Sequence, residues 1–178
     1  MNQSTKKEIL DWIETIAIAL LVAFLIRNFL FQPYRVQMGS MLPTLKENNL
    51  IIVNKITYRL NDPKRGDIVV FRPPNGSKVF YVKRIVALPG ETIEIRNGEL
   101  LINGIPLEED YISGATPGVY GPLTLGRDEY FVMGDHRNNS LDSREFGPIS
   151  KESIIGKATL IFWPPGAFAV LSNNLTNK

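Results

Sequence analysis

The sequence predicts a mainly β fold, an antiparallel β-sandwich or partly closed barrel, preceded by one N-terminal transmembrane helix. Three observations lead there. Residues 13–31 are mostly apolar. After Gln32-Pro33 the pattern changes to short segments rich in β-branched and aromatic residues. Pro and Gly separate those segments at Pro63, Pro73-Pro74, Pro89-Gly90 and Pro164-Pro165-Gly166, and many short strands with such turns indicate a sandwich or barrel.

The apolar run is the first element. At 1.5 Å per residue it reaches roughly 28 Å, about the thickness of a hydrocarbon core. Glu14 and Arg27 mark its ends, and Arg27 is long enough to snorkel to the headgroups. Trp12 lies at one end and Phe29, Phe31 and Tyr34 at the other, as an aromatic belt requires. A cleaved signal peptide would need small residues after the run, and Arg27-Asn28-Phe29-Leu30-Phe31-Gln32-Pro33 has none. A buried helix of a soluble domain is the other reading, since the run is short by membrane standards. The uncleaved anchor fits best. Charge leaves its direction open, because Lys6 and Lys7 favour a cytoplasmic N-terminus while Arg27 and Arg35 oppose it. The chain then divides into a tail, residues 1–12, an anchor, residues 13–31, and a β domain, residues 32–178.

Within the β domain, Leu50-Ile51-Ile52-Val53, Asp67-Ile68-Val69-Val70-Phe71 and residues 79–86 read as strands. Thr92-Ile93-Glu94-Ile95 alternates at period two and turns at Asn97-Gly98, a strong hairpin signal. Leu100-Leu101-Ile102 follows and turns at Asn103-Gly104. Tyr130-Phe131-Val132-Met133 and Thr159-Leu160-Ile161-Phe162-Trp163 complete the set. Residues from about 108 to 128 are rich in Gly, Pro and polar groups and read as a surface excursion. The tail after Phe168 reads as loose.

Composition narrows the chemistry. The formal charge of +2 is too small, and the Lys and Arg residues too scattered, to suggest a nucleic-acid partner. The chain has no Cys and one His, His136, which argues against any zinc site. No Gly-rich phosphate loop is present, and no cofactor is implied. Absence of Cys permits life outside the cytoplasm without requiring it.

Three stretches carry chemistry. Ser40, in Met38-Gly39-Ser40-Met41-Leu42-Pro43-Thr44-Leu45, follows the apolar run closely, which would hold a hydroxyl nucleophile near a membrane surface. A serine needs an adjacent base. His136 could serve in a triad; a lysine can serve if burial removes its charge, and an arginine cannot. Period-two alternation puts Val79, Tyr81, Lys83 and Ile85 on one strand face, so Lys83 projects among apolar neighbours. A lysine on an exposed strand face is the plainer reading of that pattern alone. The third stretch runs from Gly134 to Arg144 and packs charges and hydroxyls into one loop. It reads equally as a salt-bridged loop, with Asp142 and Arg144 pairing, or as the part that orients a base.

Taken together these stretches resemble type I signal peptidases, the membrane-bound Ser/Lys proteases that remove signal peptides. The resemblance rests on Gly39-Ser40-Met41-Leu42-Pro43-Thr44-Leu45, on Arg65-Gly66-Asp67-Ile68-Val69-Val70-Phe71, on Tyr81 through Glu91 and on Gly134 through Gly147, in that order after an apolar run. It covers the chain to about Trp163. The compact length is similar to that of the short bacterial forms.

The resemblance implies roles residue by residue. Ser40 matches the nucleophile, and its backbone N–H part of the oxyanion hole. Lys83 matches the general base. Ser140 matches the hydroxyl that orients the lysine amine. Asp142, Arg144, Arg84 and Asp135 match charged residues that brace the site, and Met41, Tyr81 and Val82 correspond to positions near the substrate groove. It further implies a single-pass cell-membrane protein with a cytoplasmic N-terminus and an extracytoplasmic catalytic domain. Its partners would be the lipid bilayer and signal peptides with small residues at the first and third positions before the cut. Two positions depart from the pattern. Met38 stands where many relatives carry a serine that supplies the second oxyanion donor, leaving a water or another N–H for that task. His136 stands where Asn is usual and reads as a polar surface substitution. A self-cleaving Ser/Lys protease of the repressor type resembles the same core, but those proteins are soluble. An anchored β module that binds an extracellular ligand would be indifferent to Ser40→Ala.

Overall fold

The computed structural model of the protein describes residues 3–25, 30–112 and 114–171. Helix α1 spans Gln3–Leu25. Its first half carries Lys6, Lys7, Glu8, Asp11 and Glu14, so the stretch without a charge, residues 15–25, reaches only about 17 Å of a ~30 Å hydrocarbon core. Among the described residues no helix is long and apolar enough to cross a membrane. The expected transmembrane helix over residues 13–31 is corrected at both ends. The helix starts upstream, at Gln3, and residue 31 opens a strand. Pairing draws it into the sheet, where Phe31 faces Asn54, while Tyr34 meets Phe80 edge-on at 5.7 Å instead of joining an aromatic belt. Residues 26–29, with Arg27 and Phe29, lie outside the described residues.

The strands are β1 (Phe31–Arg35), β2 (Leu50–Asn54), β3 (Ile68–Phe71), β4 (Tyr81–Ala87), β5 (Thr92–Arg96), β6 (Glu99–Ile102), β7 (Ile105–Pro106), β8 (Tyr120–Thr124), β9 (Glu129–Met133), β10 (Ile149–Ser150), β11 (Ile154–Trp163) and β12 (Ala169–Val170). Short helices α2 (Thr57–Leu60) and α3 (Ser143–Phe146) lie between them. The larger sheet has eight strands in the order β1-β2-β11-β3-β4-β9-β10, with β12 against β11. It is antiparallel and curls into a half-barrel. A second sheet of four strands runs β7-β6-β5-β8. The mainly β expectation holds, with a half-barrel and a smaller sheet as its form.

Sequence chemistry explains the joints. The turns at Asn97-Gly98 and Asn103-Gly104 have φ of 53° and 82°, and 54° and 80°, the doubly positive pair that two-residue hairpins need. Strand β11 pairs β3 through its first half and β2 through its second, and the strands close because Gly156 has no Cβ to strike the Asn54 carbonyl.

The excursion over residues 108–128 is corrected, because β8 pairs β5 within the second sheet and Tyr111, Thr116 and Leu125 are buried. The loose tail after Phe168 is corrected as far as β12, which pairs β11; residues 172–178 lie outside the described residues.

The core has three clusters, and β4 feeds all of them. Val82 packs on the cluster holding Val36, Met41, Leu45, Ile51 and Val70. Val86 joins Ile93, Ile95, Phe131 and Met133. Ile85 joins Val69, Phe71, Tyr130 and Val132, where Tyr81 also packs. A strand whose alternate side chains serve different clusters is fixed in register, since a one-residue slip would exchange its faces.

Candidate active site

Ser40 sits in a single 3-10 turn, Gly39–Met41, between β1 and β2. Met41 is 1% exposed and Leu45 fully buried, so two apolar side chains pin the turn to the core and leave Ser40 half-buried at its tip. The Ser40 carbonyl accepts a hydrogen bond from the His136 N–H at 3.0 Å, which ties the turn to the loop after β9.

Strand β4 brings Lys83 to it. The register sets Lys83 opposite Val69 and Tyr81 opposite Phe71, so the expected apolar face exists and the exposed-face reading does not hold. Lys83 is 3% exposed, its Nζ lies 2.7 Å from Ser40 Oγ and 5.6 Å from the centre of the Tyr81 ring. Burial lowers the Lys83 amine from its ordinary 10.5 to about 8; the Asp142 and Asp135 charges pull it back up and Arg144 adds to the lowering. Among the described residues Lys83 forms no ion pair within 4 Å, so the buried amine favours its neutral form.

The next residue points the other way and is handled differently. Arg84, 2% exposed, donates from Nε and Nη2 to the two Asp135 oxygens at 2.9 and 2.7 Å. It donates to the Gly66 carbonyl at 3.0 Å and to Thr44 Oγ1 at 3.3 Å, and lies 3.9 Å over the Tyr111 ring. Thr44 Oγ1 in turn donates to Asp135 at 2.5 Å. One buried ion pair thus joins β4, the chain just after Ser40 and the loop after β9.

That loop is built around Asp142. Its carboxylate caps α3 and accepts from Arg144 Nε and Nη2, both at 2.9 Å, and from the Gly134 N–H at 3.0 Å. Burial pushes the Asp142 carboxyl up, but the Arg144 hydrogen bonds and charge and the Gly134 N–H outweigh it and hold the group below its usual range. Gly134 is a point of closest approach, since a Cβ there would collide with both Ser140 Oγ and the Ser40 carbonyl. Ser140 therefore lies beside the Ser40 turn. Its hydroxyl is close enough to Asp142 to favour that carboxylate slightly, yet it is buried and meets hydrogen-bond geometry with no group, Lys83 included.

The chain matches the family model described as signal peptidase, peptidase S26, over residues 9–163. The chain belongs to the signal peptidase family. It is 45% identical over 172 residues to signal peptidase I P of Bacillus subtilis subsp. natto, covering 89% of this chain and 91% of that relative. It is 41% identical to signal peptidase I of Leptolyngbya laminosa, covering 88% and 80%. The crystal structure of a signal peptidase I from Enterococcus faecalis V583 is similar, with a TM-score of 0.50 and 34% identity, covering 56% of this chain and 98% of that one. The protein is thus a serine endopeptidase of the signal peptidase family.

Against this signal peptidase frame, Met41, Tyr81 and Val82 line one cleft of about 800 Å³ together with Ser40 and Lys83. Its other walls come from β1, the 36–39 segment and Leu141. Ser140 faces a separate, smaller hollow. His136 is half-buried, not a surface side chain, and its Nδ1 is enclosed without a partner; its tie to Ser40 runs through the backbone. Among the described residues no group of three or more His, Asp or Glu side chains is placed to hold a metal ion.

Sequence reasoning missed Thr44, Arg137, Glu109 and Thr116. Arg137, 2% exposed, grips Glu109 through both Nη atoms at 2.7 and 2.5 Å, Thr116 at 2.5 Å and the Gly134 carbonyl at 3.1 Å. The clamp fastens the loop to the segment that joins β7 and β8. Thr44 and Arg137 lie inside stretches already marked by their chemistry. Glu109 and Thr116 carry no such signal, because their partner is distant in sequence.

Proposed function

We propose that the protein removes N-terminal signal peptides from exported preproteins, with Ser40 as nucleophile and Lys83 as general base, through an acyl-enzyme. One observation carries the reading: Lys83 Nζ is 2.7 Å from Ser40 Oγ, on a lysine buried without an ion-pair partner. Neutral Lys83 accepts the hydroxyl proton while Ser40 Oγ bonds to the scissile carbonyl carbon. Lys83 returns the proton to the leaving amine as the C–N bond breaks, and water then hydrolyses the ester.

The Ser40 N–H is not used by the Gly39–Met41 turn, as the first N–H groups of any helical turn are not, and we assign it as one oxyanion donor. Met38 has no hydroxyl, so the second is a water or another N–H. Asp142, Arg144, Arg84 and Asp135 hold the elements that carry the dyad. A buried hydroxyl without a partner costs about 1–3 kcal/mol, and we assign Ser140 as the group that steadies the Lys83 amine once Ser40 is acylated.

The substrate lies extended in the cleft. Strand β1 is one edge of the larger sheet, pairing only β2 among the described residues, and an open edge offers main-chain hydrogen bonds to a peptide. Shallow apolar walls there suit small residues at the first and third positions before the cut. Membrane association through α1 remains part of the proposal, with the catalytic β domain on the extracytoplasmic side. Its support is the apolar surface of α1, where Trp12, Ile16 and Leu20 are 55–69% exposed. Confinement of enzyme and substrate to one bilayer would supply proximity.

The test is cleavage of a preprotein ending its signal in Ala-x-Ala by detergent-solubilised protein. Ser40→Ala and Lys83→Ala should each abolish processing in folded protein, while His136→Ala retains it. Processing that survives Lys83→Ala but is lost in His136→Ala would replace the dyad with a triad.

A further inference from the structure

The chain has no Cys and four Met, at positions 1, 38, 41 and 133. With no thiol present, the thioether sulfurs are the groups a peroxide oxidises most readily, and among them exposure decides which reacts. The structure divides them. Met41 is 1% exposed and Met133 fully buried, each inside an apolar cluster, so both are shielded while the protein stays folded. Met1 lies outside the described residues. Met38 is 61% exposed.

Met38 also stands where a chemical change would be felt. Its backbone is extended, with φ −139° and ψ 160°, and it is the last residue before the Gly39–Met41 turn that carries Ser40. It lines the same cleft as Ser40, Lys83, Val79 and Leu141. Most of its surface is free, so it carries little of the core's packing and can be altered without unfolding the domain. Oxidation turns a flexible apolar side chain into a polar one, whose new oxygen accepts hydrogen bonds and donates none. The proposed reaction builds negative charge on the scissile carbonyl oxygen beside Ser40, where donors are needed. An acceptor oxygen on that wall opposes the charge, and its polarity disfavours the small apolar side chains that the cleft takes.

We propose that Met38 is an oxidation site through which hydrogen peroxide reversibly slows the cleavage assigned to Ser40. The inference rests on the signal-peptide reading of the cleft. One peroxide oxygen is transferred to the Met38 sulfur as the O–O bond breaks. The thioether is oxidised to the sulfoxide, and the other oxygen leaves as water with both peroxide hydrogens. The reverse step uses a methionine sulfoxide reductase and a dithiol. The sulfoxide oxygen leaves as water, the thioether returns and the dithiol closes to a disulfide. Each sulfoxide epimer needs its own reductase.

The experiment treats full-length protein in detergent with hydrogen peroxide, removes the excess with catalase, and follows peptide masses alongside cleavage of an Ala-x-Ala preprotein. Met38 should gain one oxygen before Met41 or Met133 does. Processing should fall roughly tenfold, the scale of one badly placed polar group at a reacting site, with thermal melting by circular dichroism unchanged. Incubation with both sulfoxide reductases and dithiothreitol should restore it. Met38→Leu, which keeps the other three Met, should hold its own starting rate through the same treatment, whatever that rate is. The proposal is overturned if Met41 or Met133 is oxidised while Met38 stays reduced, or if Met38 is oxidised and processing is unchanged. It is equally overturned if Met38→Leu loses the same fraction of its rate, or if the reductases leave the loss in place. Untreated wild type that leaves the preprotein intact removes the proposed function instead, and the peptide masses still decide whether Met38 is the oxidised residue.

Discussion

Lys83 and Arg84 are consecutive buried cations on one strand, and they are treated in opposite ways. Arg84 meets a bidentate carboxylate, a carbonyl, a hydroxyl and an aromatic face. Lys83 meets one serine hydroxyl and the Tyr81 ring. Both are almost wholly out of water. Arginine cannot shed its proton, so its burial requires a compensating anion. Lysine can, so withholding the anion turns burial into a lowered pKa. The Arg84 side of β4 is built to hold a charge and the Lys83 side to lose one.

The strongest break of this contrast is Lys83→Arg. It keeps the charge and much of the length, yet the guanidinium cannot accept the Ser40 proton. Processing should fall by roughly 10²–10⁴-fold, the usual contribution of a general base, with the fold intact by circular dichroism. Activity close to wild type would show that Lys83 supplies charge alone.

Asp135→Asn attacks the other side. It strands a buried guanidinium, and breaking such a pair typically costs about 3–5 kcal/mol. Denaturant unfolding should show a loss of that order, and a loss below about 1 kcal/mol would mean that Gly66, Thr44 and Tyr111 suffice to hold Arg84.

Gly134→Ala tests the contact between the loop and the Ser40 turn. Its Cβ must displace the Ser40 carbonyl or Ser140, and a shift of about 1 Å at a reacting group can cost ~10²-fold in rate. Steady-state processing should drop accordingly, with a smaller effect on stability.

The gentlest probe is pH. With Lys83 near 8, single-turnover cleavage should rise about tenfold per pH unit below that value and level off above it. The stability term has its own window. Between about 8 and 10.5 the unfolded chain keeps a proton that the folded chain has released, so Lys83 makes stability increase with pH across that interval. Lys83→Met should abolish that component.

How far the sequence could be read depended on whether a feature was local. The β2 and β3 segments announced themselves as short runs rich in β-branched residues, and β5 and β6 by alternation and Asn-Gly turns. Strands β1, β7, β8 and β12 did not, because Phe31-Gln32-Pro33 sits at the end of an apolar run, and β7 and β12 have only two residues each. Strand β8 contains Gly121-Pro122, which reads as a turn until β5 is seen beside it. Ser40 and Lys83 were legible as nucleophile and base by chemistry and resemblance. The Glu109–Arg137 clamp was not, since nothing near Glu109 in sequence signals its partner.

By itself the sequence determined the mainly β character and the apolar N-terminal run, which depend on local periodicity and residue chemistry. It pointed to Ser40 with Lys83 through the family resemblance, since periodicity alone fitted an exposed lysine equally well. Tertiary structure alone decided that Lys83 lacks an anion while Arg84 has one, that Gly134 is the point where loop and nucleophile turn meet, and that Arg137 and Glu109 clamp together. The physical reason is common to all three: burial and partnership are set by groups brought together from distant parts of the chain, and no window of sequence contains both sides of such a contact.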